Sequence, residues 1–408
     1  MTADSIAAVR TRRTPLPREV RVLIGGTLVN RAGTFVQPFL VLYLTIERGF
    51  SASQAGLVVA AAGFGGMFSQ LVGGWCTDHV GRRPTLLAGL VLSATALVCL
   101  GLARGTVAIM VAAAFEGLFG DMYRPASQAL IADVLPPEQR PYAFSLTFWA
   151  VNLGFSIAAV SAGFVAEHGY WILFAVDALT SLLYAGVVLV GIRRDPPRVV
   201  HEGDGAAPGF ATALRDATFM VLVGLTVLQA IAYFQCFLVL PLAMVEVGLR
   251  PSVYGIVAAT NGLVIVLLQP LAARFTARYD PSRLLAASLL LCGIGFWLMS
   301  FATTAAGFIA CTVVWTLGEI GSAGLLPAIV TDLAAPSARG RYLGLFGTSF
   351  GVAAFLAPLV GPPLYQAAGA SWVWVMSFAL FAVAAGGNLA LRGAVLRRRA
   401  ANSSLAPA

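Results

Sequence analysis

Twelve long apolar runs divide this chain of 408 residues and restrict its fold more than any other feature. Each run is roughly 20 residues or longer, the length at which an α-helix crosses the hydrocarbon core of a bilayer. Only 11% of the residues are charged, whereas soluble domains carry about 25%. The sequence therefore predicts an all-α integral membrane protein. The predicted spans cover about 20–45, 53–76, 84–103, 106–133, 141–166, 170–192, 217–243, 252–274, 282–302, 305–333, 341–366 and 372–392.

A short polar stretch, GWCTDHVGRR from Gly74 to Arg83, separates the second and third predicted spans. Gly81 permits a sharp reversal between two helices, and Asp78 lies at a helix end. We expect Gly74 to let two helices approach closely. Arg82 and Arg83 are expected to hold the loop on the cytoplasmic side, where loops carry an excess of basic residues.

The arginines follow the two sides of a membrane. The chain has 26 basic residues, all of them arginine, and a net charge of +8. If the N-terminus is cytoplasmic, most of the arginines fall in cytoplasmic segments. This excess of basic residues on one side predicts cytoplasmic termini and a plasma (inner) membrane location. No basic face gathers them, so no nucleic-acid partner is expected. The exceptions are Arg48, Arg104 and Arg250 in outer loops, with Arg31 and Arg124 inside spans.

An internal repeat divides the chain. The run FLVLYL at 39–44 recurs as FLVLPL at 237–242, and an offset of 199 residues places Asp133 on Asp332. Such a repeat predicts two pseudo-symmetric bundles of six helices, related by an axis along the membrane normal. The expected units are a bundle over 1–192, a polar cytoplasmic linker over 193–216 and a bundle over 217–408.

The pattern at 74–83 closely resembles the G-x-x-x-D-x-x-G-R-R signature of the major facilitator superfamily, and the spans and repeat extend the resemblance over nearly the whole chain. The resemblance implies twelve transmembrane helices, with the first, fourth, seventh and tenth lining a central cavity. In that family the signature loop latches the two bundles on the cytoplasmic side. It therefore implies that Asp78 and Arg82 gate the protein rather than bind substrate. The second half keeps a decayed copy, with Ala277 in the place of Asp78.

Six charged residues fall inside the predicted spans. At about 2.5–3.5 kcal/mol each at the centre of a span, they are too costly to face lipid and must face each other or water. On a continuous fourth helix Asp121 and Arg124 are three residues apart and can pair, with Glu116 on the same face. The six are Arg31, Glu116, Asp121, Arg124, Asp177 and Glu319.

Glu116 and Glu319 lie near the middle of their spans without a charged residue one turn away. Burial favours the protonated form of a carboxyl, so both are candidates for carrying a proton. The alternative for all four acids is a buried ion pair that fixes helix packing. Arg31 can neutralise either glutamate, and Asp177 lies toward the outer end of the sixth span.

The chain is most similar to the drug/proton antiporter branch of the superfamily, whose fourth helix usually carries Arg in an R-x-x-Q-G pattern. Reading Gly120 as the final glycine puts Glu116 at that position, so the sign of the charge is reversed. Arg124 lies about two turns further on. A mostly apolar pocket with a few polar anchors is expected to be completed by Asn30, Gln229, Gln235, Asn261, Tyr123, Phe148, Trp149, Tyr233 and Phe234.

No metal-ligand cluster, nucleotide-binding lysine motif or nucleophile constellation is found, so neither an enzyme nor a cofactor is expected. The first interpretation is a monomeric, proton-coupled exporter of small lipophilic neutral or cationic compounds, working by alternating access. One alternative is a uniporter or symporter for a sugar, amino acid or other metabolite. Another is a non-transporting membrane sensor or assembly factor. Small-molecule substrate, protons and the lipid bilayer are the partners of the first interpretation.

Overall fold

The computed structural model describes residues 16–136, 139–192, 213–276, 279–334 and 339–404, and all regular structure among them is helical. The predicted linker at 193–216 lies mostly outside the described residues. We refer to residues 16–192 as the N-terminal half and to 213–404 as the C-terminal half. The helices of the N-terminal half are α1 Arg18–Ala32, α2 Val36–Leu42 with a π-helical turn Tyr43–Glu47, α3 Ala52–His79, α4 Arg82–Leu102, α5 Thr106–Gly120, α6 Tyr123–Val134, α7 Arg140–Ala166 and α8 Trp171–Gly191.

The C-terminal half repeats this order of helices. It contains α9 Ala217–Leu238, α10 Leu240–Glu246, α11 Pro251–Thr276, α12 Pro281–Leu298 with a 3₁₀ turn Met299–Phe301, α13 Ala305–Ala323, α14 Leu325–Leu333, α15 Arg339–Ala368 and α16 Ala370–Ser404.

Eleven helical stretches within the described residues are long and apolar enough to cross a membrane. The predicted first span, 20–45, is not among them, because it is divided into a 15-residue and a 7-residue helix. The fold is therefore an all-α membrane fold.

Four predicted spans are broken rather than continuous, and a proline follows each break. These are the first, fourth, seventh and tenth spans, in which Pro38, Pro125, Pro241 and Pro327 lie a few residues beyond the break. Proline lacks an N–H and its ring clashes with the carbonyl four residues earlier, so the preceding turn opens. The single helices predicted over 106–133, 217–243 and 305–333 are corrected accordingly. The breaks lie at residues 33–35, 121–122, 239 and 324.

The two halves meet along two helix pairs, α3 with α15 and α7 with α11. Two of the close contacts are copies related by the offset of 199. Gly56 packs against the Pro358 carbonyl, and Gly255 packs against the Ala159 carbonyl. A Cβ added at Gly56 would lie 2.5 Å from that oxygen, so only glycine allows the helices to come this close. These two contacts between the halves are thus related by the offset of the internal repeat.

The halves touch at one end of the molecule and part at the other. We call the first the far end; it carries the loops at 48–51, 103–105, 167–170 and 247–250. We call the second the basic end; it carries the turn at 80–81 and the start of α9. Toward the basic end the last close approach of α3 and α15 is Gly351, whose added Cβ would lie 3.5 Å from Met67. Beyond it, Gly347 and Gly344 have open space beside them.

The long C-terminal helix α16 holds the basic ends of its neighbours by ion pairs. Arg398 pairs with Asp216, the N-cap of α9, and Arg392 pairs with Asp280, the N-cap of α12, at 3.1 Å. Tyr342 of α15 donates a further hydrogen bond to Asp216 at 2.8 Å. Burial acts to raise the pKa of Asp216, but the hydrogen bonds from Arg398 and Tyr342 outweigh it and hold that pKa below its usual range. These ion pairs therefore tie the basic ends of α9, α12 and α16 together.

Candidate functional site: a cavity between the halves

A cavity of about 1060 Å³ lies between the two halves. Pockets that enclose drug-sized ligands measure about 300–1000 Å³, so this one is large enough for such a molecule. It extends toward the basic end, since Leu71, Gln128 and Leu343 line it. Close packing of the halves at the far end separates it from that side.

The two walls of the cavity differ in character. Every charged residue that lines it belongs to the N-terminal half, namely Arg31, Glu116, Asp121, Arg124 and Asp177. The wall contributed by the C-terminal half is apolar, apart from Thr348, among the residues that the structure describes. That wall consists of Phe234, Phe237, Leu238, Leu343, Gly344, Gly347, Thr348, Phe350, Gly351, Ala354 and Pro358.

Asp121 is held between two arginines at the break of the fourth predicted span. Arg31 in the last turn of α1 donates to Asp121 Oδ1 at 2.6 Å, and Arg124 donates to Asp121 Oδ2 at 3.1 Å. The contact between Asp121 and Arg124 was expected from their spacing and is present. The helix between Glu116 and Arg124 is not continuous, because Pro125 follows the break, but Glu116, Asp121 and Arg124 all line the cavity. Arg31 pairs with Asp121 rather than with a glutamate.

A chain of hydrogen bonds continues from Arg31 into the N-terminal half. Arg31 Nη2 also donates to the Tyr123 hydroxyl at 3.1 Å, which donates to Asn30 Oδ1 at 3.2 Å. Asn30 Nδ2 then donates to Ser181 Oγ of α8 at 3.0 Å. These bonds fix the position of Arg31 in the cavity wall.

Asp177 accepts a hydrogen bond from the backbone N–H of Val36 at 3.2 Å, where α2 begins after the break in the first predicted span. That N–H has no helical acceptor because residues 33–35 are not helical, so the carboxylate replaces the missing carbonyl. Asp177 is buried and lines the cavity. The ion pair considered for it is corrected to a backbone cap.

Glu116 lines the cavity from α5 and forms no hydrogen bond or ion pair with any residue that the structure describes. Its carboxyl turns back toward the C-terminal end of α5, since a Cβ added at Gly120 would lie 3.0 Å from Glu116 Oε1. Glu116 is thus the cavity carboxyl without a hydrogen-bond or ion-pair partner among the described residues.

Glu319 is not among the residues that line the cavity, which corrects its predicted location. It accepts a hydrogen bond from Asn261 Nδ2 of α11 at 2.6 Å, and Asn261 also donates to Thr316 at 3.1 Å. The Tyr233 hydroxyl of α9 lies close to the same carboxyl. Glu319, Asn261 and Tyr233 therefore form a polar group inside the C-terminal half.

Two more predicted pocket residues face the packing between helices. Gln235 Nε2 donates to the carbonyls of Ile231 and Ala357, at 2.9 and 3.4 Å, and packs against Gly361 of α15. Gln229 is buried within α9. Neither lines the cavity, and the side of α9 that carries Gln235 meets α15. Among the predicted aromatics, Phe234 lines the cavity, whereas Tyr123, Phe148 and Trp149 do not.

The sequence profile of the Major Facilitator Superfamily matches residues 23–249 and again residues 222–407. The chain belongs to this superfamily. Its members are secondary transporters and not enzymes.

Several superfamily transporters are similar to this chain along most of its length. It is 26% identical to the uncharacterized MFS-type transporter YqjV of Bacillus subtilis, over 80% of this chain and 82% of that one. It is 25% identical to a Na⁺, Li⁺, K⁺/H⁺ antiporter of Planococcus maritimus, over 88% and 92% of the two chains. It is 24% identical to the multidrug resistance protein MdtH of Aeromonas hydrophila, over 76% and 78%.

Solved structures of superfamily transporters share the fold. A bacterial homologue of the lysosomal transporter Spinster, in an inward-facing and unoccupied conformation, superposes with a TM-score of 0.76 at 16% identity, covering 95% of this chain and 99% of that one. A D-xylose–proton symporter superposes with a TM-score of 0.74 at 17% identity, covering 90% and 95%.

The signature loop of the superfamily lies at the basic end. α3 ends at His79, and Gly81 turns the chain with a φ of 118°, a conformation that favours glycine. Arg82 Nε donates to Asp133 at the end of α6 at 2.9 Å, and Arg83 donates to the Leu189 carbonyl at 3.3 Å. Asp78 is exposed and pairs with no described residue of either half. In this conformation the loop contacts its own half.

The expectation for Gly74 is wrong in this conformation. A Cβ added there would meet nothing within 4 Å, whereas one added at Gly73 would clash with the Met122 carbonyl. Gly73 therefore makes the close approach, to the chain break before α6, and Gly74 faces the open space between the halves.

Several polar residues of the cavity were not singled out from the sequence. The prolines inside the predicted spans are the signal that would have located the breaks, and with them the groups that cap or surround the breaks. These missed polar lining residues are Thr34, Gln37, Gln70, Ser93, Gln128, Ser181 and Thr348.

Proposed function

We propose that this chain is a proton-coupled exporter of small compounds that combine a large apolar body with a neutral or cationic polar group. The difference between the two cavity walls carries this proposal. Of the five charged side chains on the N-terminal wall, three are acidic and two are basic. The opposite wall offers aromatic and aliphatic surface to an apolar body.

Alternating access is the proposed mechanism, with two six-helix bundles that rock about the cavity. The broken helix α1–α2, which comes first in the chain, is proposed as a further span that brings the eleven to twelve. The bundles correspond to 1–192 and 217–408, joined by the segment 193–216. The pseudo-symmetric contacts of α3 with α15 and of α7 with α11 support this division, because they form one continuous interface between the halves.

Closure of the basic end follows from the register of α3 against α15. The two helices run antiparallel, and Met67 lies beside Gly351. Moving seven residues along each helix, in opposite directions, keeps the same faces together and places Gly74 opposite Gly344. Both glycines have open space beside them now. Rocking the halves together at this end would bring these two glycines into contact, and Gly74 would then make the close approach expected of it.

Glu116 is the proposed proton-binding group. It lines the cavity and has no partner among the described residues, whereas Asp121 is held by two arginines and Asp177 by a backbone N–H. A carboxyl without such partners changes its protonation most readily when substrate arrives. Glu319, which Asn261 holds behind the cavity wall, is the second candidate.

We further propose that the basic end faces the cytoplasm, that the membrane is the plasma membrane, and that the protein works as a monomer. The cavity is lined by residues of one chain, so a single copy supplies a complete site.

A second candidate is exchange of a monovalent cation for protons. The similarity to a named Na⁺, Li⁺, K⁺/H⁺ antiporter favours it, as do the carboxyls of Glu116 and Asp177 in one cavity. Uptake or export of a sugar is less well supported, because a polyol needs many hydrogen-bonding groups and the described C-terminal wall offers only Thr348.

The proposal is tested in inverted membrane vesicles that contain the full chain. A fluorescent lipophilic cation should accumulate inside when respiration acidifies the lumen, and a protonophore should release it. Radioactive Na⁺ should not follow the same gradient. Accumulation of Na⁺ but not of the dye would establish the second candidate, and accumulation of neither would contradict proton-coupled export.

A further inference from the structure

Two polar contacts join the halves at the far end, and they are copies of one another. Gln366 Oε1 of α15 accepts from the backbone N–H of Ser53 in α3 at 3.0 Å. The Glu167 carboxylate, at the end of α7, lies beside the backbone N–H and the hydroxyl of Ser252 in α11. The offset of 199 places Ser53 on Ser252 and Glu167 on Gln366. Each half therefore caps a helix of the other.

Both donors occupy the same place in their helices. α3 has Ser51 as its N-cap, so Ser53 is the second residue of the helix, and Ser252 is the second residue of α11. The first four N–H groups of a helix have no acceptor within it. An oxygen from the opposite half satisfies one of them in each case. If the halves separate, water can replace that oxygen, so the bonds are reversible.

The backbone beneath one bond is packed closely enough to hold it in register. A Cβ added at Gly163 of α7 would lie 2.9 Å from Ser252 Cα and 3.1 Å from the Pro251 carbonyl. Because α7 and α11 touch here, Glu167 can reach Ser252 only while the far end is closed.

We propose that Gln366–Ser53 and Glu167–Ser252 form a reciprocal latch that keeps the far end closed and must break for the cavity to open on that side. This inference rests on the proposed alternation of access and not on any particular substrate. The two bonds lie on opposite sides of the pseudo-symmetry axis, so a rigid rocking motion must break both.

One bond of the latch carries a charge and the other does not. The hydrogen bond from the Ser252 hydroxyl, with smaller effects of Arg250 and His168, holds the pKa of Glu167 below its usual range. Glu167 therefore remains ionised, and the latch remains intact, throughout the neutral and mildly acidic range.

The latch is tested by the accessibility of the cavity from the far end. Leu40 lines the cavity and is buried. In a background that lacks the native cysteines, Leu40→Cys in sealed right-side-out vesicles, whose far end faces outward, reports far-end opening to a membrane-impermeant maleimide. Gln366→Ala or Glu167→Ala should raise the labelling rate about 2- to 12-fold, the factor that one net hydrogen bond supports. Gln54→Ala is the matched control, because Gln54 bonds Ser51 within α3 and not the other half.

Cross-linking gives the complementary result. The pair Ser53→Cys and Gln366→Cys, once oxidised, should abolish labelling of the Leu40→Cys reporter, and reduction should restore it. Labelling needs neither substrate nor a proton gradient, so failed export with latch-dependent labelling would contradict only the proposed function. Equal labelling rates in Gln366→Ala, Glu167→Ala and Gln54→Ala, or unchanged labelling after oxidation, would overturn the latch.

Discussion

Replacing Asp121 with asparagine should lower stability more than it changes transport. Asparagine keeps the shape and one acceptor oxygen but leaves Arg31 and Arg124 without a counter-charge. The Arg31 side chain is only 14% exposed but Asp121 is 40% exposed, so the loss of this ion pair falls just below the roughly 3–5 kcal/mol found for buried pairs, at about 2–3 kcal/mol. Arg124 is 39% exposed, and pairs at that exposure contribute about 0–1 kcal/mol. The expected fall in the free energy of unfolding is therefore about 2–4 kcal/mol.

Arg124→Gln is the matched variant, because it removes the exposed partner and leaves Arg31 paired with Asp121. Its free energy of unfolding should fall by less than about 1 kcal/mol. Reversible denaturation in mixed micelles, followed by tryptophan fluorescence, compares the variants. The reasoning is refuted if Arg124→Gln is as destabilised as Asp121→Asn. It is equally refuted if Asp121→Asn is as stable as the wild type and shifts the pH optimum of transport.

Three further predictions concern the ends of helices. Asp78 is exposed and unpaired among the described residues, so Asp78→Asn should leave stability within about 0.5 kcal/mol but loosen closure of the basic end. Faster maleimide labelling of Leu343→Cys, at a residue that lines the cavity there, would report this, and unchanged labelling would contradict it. Asp177→Ala leaves the Val36 N–H without an acceptor and should cost about 1–3 kcal/mol of unfolding free energy, whereas Asp177→Asn should cost less; equal losses would contradict the cap. Folding lowers the pKa of Asp216. The contribution of this carboxylate to stability is therefore complete above about pH 4 and is lost as the pH falls through the pKa of the folded protein. Asp216→Asn should remove that part of the acid dependence of denaturation.

The sequence was sufficient for the features that depend on composition and short spacing. Apolar length located eleven spans that the structure confirms by length and composition, although the last helix continues beyond its predicted end at 392 to Ser404. Spacing of three residues predicted the contact of Asp121 with Arg124. The turn at Gly81 followed from the residue types that a helix reversal requires.

Contacts that depend on which faces of two helices meet could not be predicted from the sequence. Glu319 and Gln235 lie near the middle of their spans, yet one faces Asn261 and the other faces α15. Periodicity identifies a polar residue in an apolar helix but not the neighbour that it contacts. Gly73 and Gly74 differ by about 100° around α3, and only the packing of Met122 shows which of them must be a glycine. The contact of Arg31 with the other carboxylate oxygen of Asp121 could not be predicted for the same reason.

The most direct test of the account is to separate binding from uphill transport in Glu116→Gln. Glutamine keeps the size and the hydrogen-bonding oxygen of the side chain and removes its titration. Purified wild type and Glu116→Gln, with Glu319→Gln for comparison, are assayed for dye binding, for exchange of dye across vesicles at equal pH, and for accumulation driven by a pH gradient. Glu116→Gln should bind and exchange the dye but fail to accumulate it. Uphill accumulation by Glu116→Gln at the wild-type level would contradict the assignment of Glu116 as the proton-binding group.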